Sequence, residues 1–156
     1  MSRVATVIVC LIVLALGSGI SRVFAEITLA ADGRSEYAIV VSGEATETER
    51  TAAAELNRYL EAVTGARFPI VSPDQVGHGP AIYVGVLATL QHPGIDPQAE
   101  QLGRGAIRIL LAGDDLLIGG SDPRATLHAV YTFLEEVVGI RWWTDADEDI
   151  PATPTL

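Results

Sequence analysis

The sequence predicts an α+β fold, a mixed β-sheet with two main helices packed on one face. Three observations carry this. Two long segments repeat apolar residues at helical spacing and open on helix-capping residues. The stretches around them are short runs of Val, Ile and Leu, punctuated by Gly, Pro and Asp, which read as strands and turns. These strands come in runs rather than in strict alternation with helices, which favours a sandwich of two helices on a sheet.

Taken in order, Ile27–Ala30 and Tyr37–Val41 read as two short strands joined by a turn at Asp32 and Gly33. The first helix follows. Thr46 and Glu49 form a capping box, in which hydroxyl and carboxylate satisfy amides that the first turn leaves unpaired. Ala52, Ala53, Leu56, Tyr59, Leu60 and Val63 line one apolar face, and Gly65 stands where a left-handed residue ends a helix. Pro69–Val71 continues as a strand. After a Gly/Pro-rich loop, Ala81–Val86 is a strong strand, and Leu90–Gly105 an irregular crossing segment. Ile107–Ala112 and Leu116–Gly119 form a β-hairpin around Gly113, Asp114 and Asp115. The second helix has the better start: Asp122 caps it and Pro123 takes its first position, where the missing amide proton costs nothing. Its buried stripe is Ala129, Val130, Phe133, Leu134, Val137 and Val138, and Gly139 ends it. A strand starts at Ile140, followed by an acidic stretch and a tail at 152–156.

One phrase is written twice. "YLEAVTGARF" (Tyr59–Phe68) and "FLEEVVGIRWW" (Phe133–Trp143) share Leu, Glu, Val, Gly and Arg at an offset of 74 residues. Each is the closing turn of a helix, its glycine exit and the strand beyond. A partial duplication of a ββα unit accounts for this; so does convergence, since a glycine flanked by apolar residues is a common helix end. Adjacent strand residues face opposite ways. Trp142 is therefore expected to repeat Phe68 in the core, with Trp143 exposed.

Composition narrows the function. Residues 1–25 read as an export signal, with Arg3 at the start, a 13-residue apolar core at Val4–Leu16 and small residues at Val23 and Ala25 for cleavage. A retained anchor would need about 20 apolar residues to span a bilayer. Exported, periplasmic or extracellular location is the expectation, with no stable membrane anchoring after cleavage. The mature domain then runs from residue 26 to 151, and its remaining sequence holds no cysteine for a disulfide or thiolate site. Losing Arg3 and Arg22 takes the net charge from −10 to −12, which argues against nucleic acid as a partner.

A search for chemistry returns little. His78, His92 and His128 are scattered and offer no ligand spacing, so no metal site is expected of them. His78 and His92 fall in expected surface loops, and His128, on the second helix, reads as a partly buried or boundary histidine rather than a catalytic one. Asp145–Asp149 begins like a calcium loop, but the sixth position is Ile150 where glycine is needed and the twelfth is Leu156 where a bidentate Glu is needed. Glu135 and Glu136 are adjacent on a helix and cannot flank one glycosidic bond. No nucleophile elbow, phosphate loop or dinucleotide fingerprint is present. No catalytic residue and no cofactor is expected.

The stretch "LLIGGSDPRATLHAVYTFLEEVVGIRWW", with "AAELNRYLEAVTGARFPI" and "AIYVG" before it and Pro151 after it, resembles the N-terminal domain of bacterial alpha-glucuronidases and related secreted glycoside-hydrolase-like proteins. That domain is kin to the second domain of beta-hexosaminidases. The resemblance covers about Ile27 to Pro151. It implies a sandwich fold and a place in polysaccharide degradation, next to a catalytic (β/α)8 barrel that carries the acids. No catalytic residue carries over. The expected role is an exported, non-catalytic accessory domain that docks on or stabilises such a barrel. The alternatives are a carbohydrate-binding module that takes oligosaccharide on an exposed Trp, and a fragment of a longer hydrolase gene. Arg124, Arg141 and Trp143 are the candidate interface or sugar-contact residues.

Overall fold

The computed structural model describes residues 7–9, 25–95, 102–144 and 147–156. Most of the expected export signal lies outside them. Within it, β1 (Val7–Val9) pairs antiparallel with β2 (Ala25–Ile27), Val7 opposite Ile27. Residues 96–101 of the crossing segment and 145–146 of the acidic stretch are also outside.

A five-stranded mixed sheet forms the centre. Its strands are β3 (Ala38–Val41), β4 (Ile70–Val71), β5 (Ala81–Val84), β6 (Ile107–Ala112) and β7 (Asp115–Gly120). The order is β4-β3-β5-β7-β6, parallel throughout except for β6, which returns antiparallel along β7. Register aligns one apolar row across it, with Val41 opposite Val84, Val84 opposite Ile118, and Ile118 opposite Ile109. On this face lie α1 (Glu47–Thr64) and α3 (Pro123–Phe133), packed against each other as well as on the sheet. Ala52, Leu56, Leu60, Val63, Ala129, Val130, Phe133 and Leu134 are all buried there. The expected architecture is the observed one.

Both long helices start and end as their sequences dictate. The Thr46 hydroxyl accepts from the Glu49 amide while the Glu49 carboxylate accepts from the Thr46 amide. The Asp122 carboxylate accepts from the Ala125 amide at 2.9 Å. The repeated phrases share their glycine exits, with φ +73 at Gly65 and +91 at Gly139, a conformation nearly free for glycine and strained for other residues. They differ one step earlier. The Gly65 amide bonds the carbonyl four residues back, at Glu61, whereas the Gly139 amide reaches Leu134, five residues back. That wider last turn, Leu134–Val138, inserts one residue into the second helix end. Phe68 goes on to full burial beside the sheet. The second exit instead feeds β8 (Arg141–Thr144), which pairs with β9 (Asp147–Asp149) and not with the central sheet.

Four features depart from the sequence reading. The first expected strand, Ile27–Ala30, is shifted: β2 spans Ala25–Ile27 and pairs with β1 rather than with the strand beyond the Asp32–Gly33 turn. The run 81–86 is not one strand: it stops at Val84, turns at Gly85 and becomes a short helix, α2 (Val86–Leu90), on the opposite face of the sheet. Five residues carry too little periodicity to be recognised as helix. His92 is buried rather than in an open loop. Its Nδ1 accepts from the Gly94 amide at 3.0 Å, leaving Nε2 to bond Asp115 at 2.9 Å, and its ring meets Tyr83 edge-on. His128, by contrast, is exposed on α3. The residues after Pro151 pack back on the domain: Leu156 is buried in the core, and its carbonyl accepts the Leu29 amide.

Candidate functional site at the aromatic hairpin

Open sheets with parallel strands bind ligands beyond the carboxyl ends of those strands, where successive crossovers leave toward opposite faces. Here that point lies between β3 and β5, since α1 follows β3 onto one face and α2 follows β5 onto the other. It is already occupied by protein. The buried Glu49 side chain places Oε2 on the amide and hydroxyl of Thr46, both at 2.8 Å, and Oε1 on the Val86 amide, also at 2.8 Å. Burial on its own would raise the pKa of this carboxyl. The Thr46 and Val86 amides, with the Thr46 hydroxyl, outweigh it and hold the pKa below its usual value. An internal anion thus sits where a ligand phosphate would, and Gly85, at φ +120, lets the backbone pass against it. This crevice is structural.

A second arrangement remains open to solvent. Across the outer surface of α1 and α3 runs a groove of about 650 Å³, lined by Arg58, Tyr59, Tyr131, Trp142, Trp143 and Glu148 among others. Trp142 wedges between two tyrosines, its ring edge-on to Tyr59 at 5.4 Å and to Tyr131 at 5.2 Å between centroids. A relay of donors holds it. The indole Nε1–H donates to the Tyr59 hydroxyl at 2.8 Å, and that hydroxyl donates to Glu148 on β9. Tyr131 donates to Glu55, which also pairs with Arg58 at 3.1 Å, and the Arg58 guanidinium lies 4.0 Å over the Tyr59 ring.

Both phenols stay protonated in this setting. Burial, then the Glu55 bond and charge, push Tyr131 up to about 12. Burial and the Glu148 bond raise Tyr59 despite the opposing bond from Trp142. The phenol protons and the Trp142 indole proton are all donated within the relay, so the groove presents aromatic edges and a guanidinium to solvent, which is recognition chemistry. Of the carboxylates that line it, Glu148 is engaged by Tyr59 and Arg58.

The relay ties the β8–β9 hairpin to α1, beside the Arg141 bond to Glu135 and the Arg58–Glu148 pair, and its share is testable. Tyr59→Phe removes the hydroxyl that joins Trp142 to Glu148, leaving the half-buried indole N–H without its acceptor and the exposed Glu148 without its phenol donor. The expected cost is about 1–2 kcal/mol, with the tryptophan emission shifting to the red as Trp142 loosens. An unchanged spectrum and melting curve would mean that the hairpin is held by something else.

The candidates named from sequence separate in space. Trp143 is 69% exposed, on the face of β8 away from the core. Trp142 was expected to be core. It is half-buried and hydrogen-bonded, because the hairpin lies outside the sheet that buries Phe68. Arg141 is exposed, but its guanidinium donates to the carbonyls of Glu135 and Ile140, closing the end of the second helix. Arg124 lies at the other end of α3, exposed beside His128. Sequence reading missed Arg58, Tyr59, Tyr131 and Glu148. Tyr59 recurs with the apolar stripe of its helix and so reads as core, whereas Tyr131 falls outside the stripe read for the second helix. No signal in the chain announces that Glu148 reaches back 89 residues to Tyr59.

No protein-family model matches the chain, and no curated protein matches it in sequence. Among solved structures it is similar to one described as a novel family GH115 4-O-methyl-alpha-glucuronidase, BtGH115A, with specificity for decorated arabinogalactans. The match has a TM-score of 0.59 and 22% sequence identity, covering 83% of this chain. The chain spans 17% of that protein's length. The fold of this chain is thus one that also occurs as a small part of a large glycoside hydrolase.

Proposed function

We propose that the protein is an exported, non-catalytic accessory domain of a carbohydrate-degrading system, one that docks on a catalytic (β/α)8 barrel through the edge bearing Trp143. The observation that supports this most is the shared fold. The match covers 83% of this chain and 17% of a 4-O-methyl-alpha-glucuronidase, and by the resemblance read in the sequence that portion would be the domain preceding the barrel. The hairpin adds to it. An exposed tryptophan beside a firmly held aromatic cluster has the character of an interface anchor, a large apolar side chain open to a partner. The reading is the same whether the barrel belongs to the same polypeptide or to another.

The experiment mixes the secreted chain with the isolated barrel of an alpha-glucuronidase stripped of its own N-terminal domain. Sedimentation reads complex formation. A one-to-one complex is expected, weakened at least tenfold by Trp143→Ala, which corresponds to about 1.4 kcal/mol. Absence of a complex would sink the reading.

A second reading is favoured by the groove itself, in which Trp143 adjoins phenols and a guanidinium. The chain would then be a carbohydrate-binding module in which Trp143 stacks on a sugar ring. Oligosaccharide titration followed by tryptophan fluorescence separates the two, since Trp143→Ala abolishes glycan binding only under this reading.

A further inference from the structure

We infer that the outer face of α3 carries a binding site for an anionic sugar, in which Arg104, Arg124 and His128 take the charged group. The inference builds on the carbohydrate reading above but uses a different surface from Trp143.

The chain carries a net charge of −10 and has no lysine, so arginine supplies every permanent side-chain cation. Two of those arginines and one of three histidines nonetheless line a single cleft of about 680 Å³. Arg124 and His128 stand four residues apart on α3, which puts them on one face of the helix. Arg104 arrives from elsewhere. It rides a tight turn in which the Ala106 amide bonds the Gly103 carbonyl and Gly105 takes φ +72, as the third position of such a turn requires. That turn is fastened to the start of α3. The Gly105 amide donates to the Ser121 hydroxyl at 2.8 Å, and the Ser121 amide donates to the Ala106 carbonyl at 2.9 Å.

Among the described residues, neither Arg104, Arg124 nor His128 forms a salt bridge, whereas Arg58 nearby pairs with Glu55 and Glu148. One carboxylate, Asp122, also lines the cleft, but its oxygens are taken by the Ala125 amide and the Ser121 hydroxyl. The Ala125 amide in the first turn of α3 is thereby capped, and the charged recognition groups of the cleft are the side chains. Planar guanidinium groups match a planar carboxylate or a sulfate ester. Tyr131 lines this cleft and the aromatic groove alike. An anion held at Arg124 would therefore carry its sugar along a surface of aromatic edges, which is why a charged glycan fits here.

Calorimetric titration of the full chain tests this with four probes: a uronic-acid oligosaccharide, its methyl ester, a sulfated oligosaccharide of the same backbone, and sodium sulfate. The acid is expected to bind at least tenfold more tightly than the ester. Arg104→Ala/Arg124→Ala should remove that difference at an unchanged melting temperature, and Arg67→Ala on the first helix exit should leave it intact. Tight binding of the sulfated sugar as well supports a shared oxyanion site; binding of the uronate alone supports a carboxylate site. Equal affinity for acid and ester overturns the inference. So does sodium sulfate binding as tightly as either sugar, which would mean an adventitious ion only. If the double variant unfolds, the acid–ester comparison on the native chain still decides. Loss of barrel docking with uronate binding kept would sink the docking reading alone, and the reverse would sink this one alone.

Discussion

Gly120→Ala is expected to lower the melting temperature by about 10–15 °C, a loss on the order of 3 kcal/mol for a domain of this size. The cause is the way α3 enters the fold. Gly120 closes β7 on the helix-covered face, and a Cβ there would stand 2.5 Å from the Ala125 Cβ, 2.7 Å from the Ala125 carbonyl carbon and 2.8 Å from the Thr126 amide. Two of those three atoms are backbone, so no rotamer relieves the clash and the first turn of α3 must move. Gly119, one residue back, faces the other layer, where a Cβ would meet the Gly85 carbonyl and the Thr89 hydroxyl at 2.9 Å. The glycine pair thus admits a helix on each side of the sheet. Gly77→Ala is the control, because an added Cβ there meets nothing within 4 Å; its effect should stay within about 0.5 kcal/mol. Ala125→Gly should recover part of the Gly120→Ala loss by removing the closest of the three contacts. Equal melting temperatures for Gly77→Ala and Gly120→Ala would contradict the packing of α3 described above.

These glycines mark where the sequence could be read and where it could not. The main helices were legible because their determinants are local: Thr46 with Glu49 and Asp122 with Pro123 lie within a turn of the helices they start, and Gly65 and Gly139 immediately follow the ones they end. The turn at Asp32 and Gly33 was legible for the same reason, both residues taking positive φ. The short helix α2 was not, because the group that satisfies its first amide is Glu49, 37 residues earlier in the chain. Burial of His92 depends on Asp115 and Tyr83, which reach it through the sheet rather than through neighbouring sequence. The second copy of the repeated phrase misled about Trp142 because one extra residue in the helix's last turn sends the chain off the sheet. Exposure of Trp143 followed from strand alternation and holds in the separate hairpin.

The candidate site shows the same division between local and distant signals. Aromatic residues at helical spacing have one periodicity whether they face a core or a groove. Tyr59 belongs to the apolar stripe of its helix and is buried, yet its hydroxyl bonds Glu148 of the hairpin, and the half-buried Tyr131 bonds Glu55. What distinguishes the groove is the convergence of α1, α3 and β9. Only the tertiary fold supplies that.

Glu49→Ala is the other large effect expected, about 3 kcal/mol at neutral pH. The substitution removes a capping residue and leaves the Thr46 and Val86 amides without their acceptor in a buried setting. Its more diagnostic companion is Glu49→Gln, which keeps the shape and loses the charge. The folded carboxyl titrates below its usual value because two amides and a hydroxyl outweigh the burial that would raise it. A group depressed in this way contributes stability above its unfolded pKa of roughly 4.3, and loses it as pH falls through the folded value. Urea unfolding of wild type and Glu49→Gln should therefore differ by about 2 kcal/mol at pH 7, with the gap closing as the solution is acidified below pH ~4. A gap that stays constant down to pH ~2.5 would mean that shape, and not the anion, joins the two helix starts. The charge would then have no part in closing the crevice between β3 and β5. A closing gap would establish that the fold keeps an anion of its own at the carboxyl ends of its parallel strands, leaving the outer faces of α1 and α3 as the surfaces free to recognise something else.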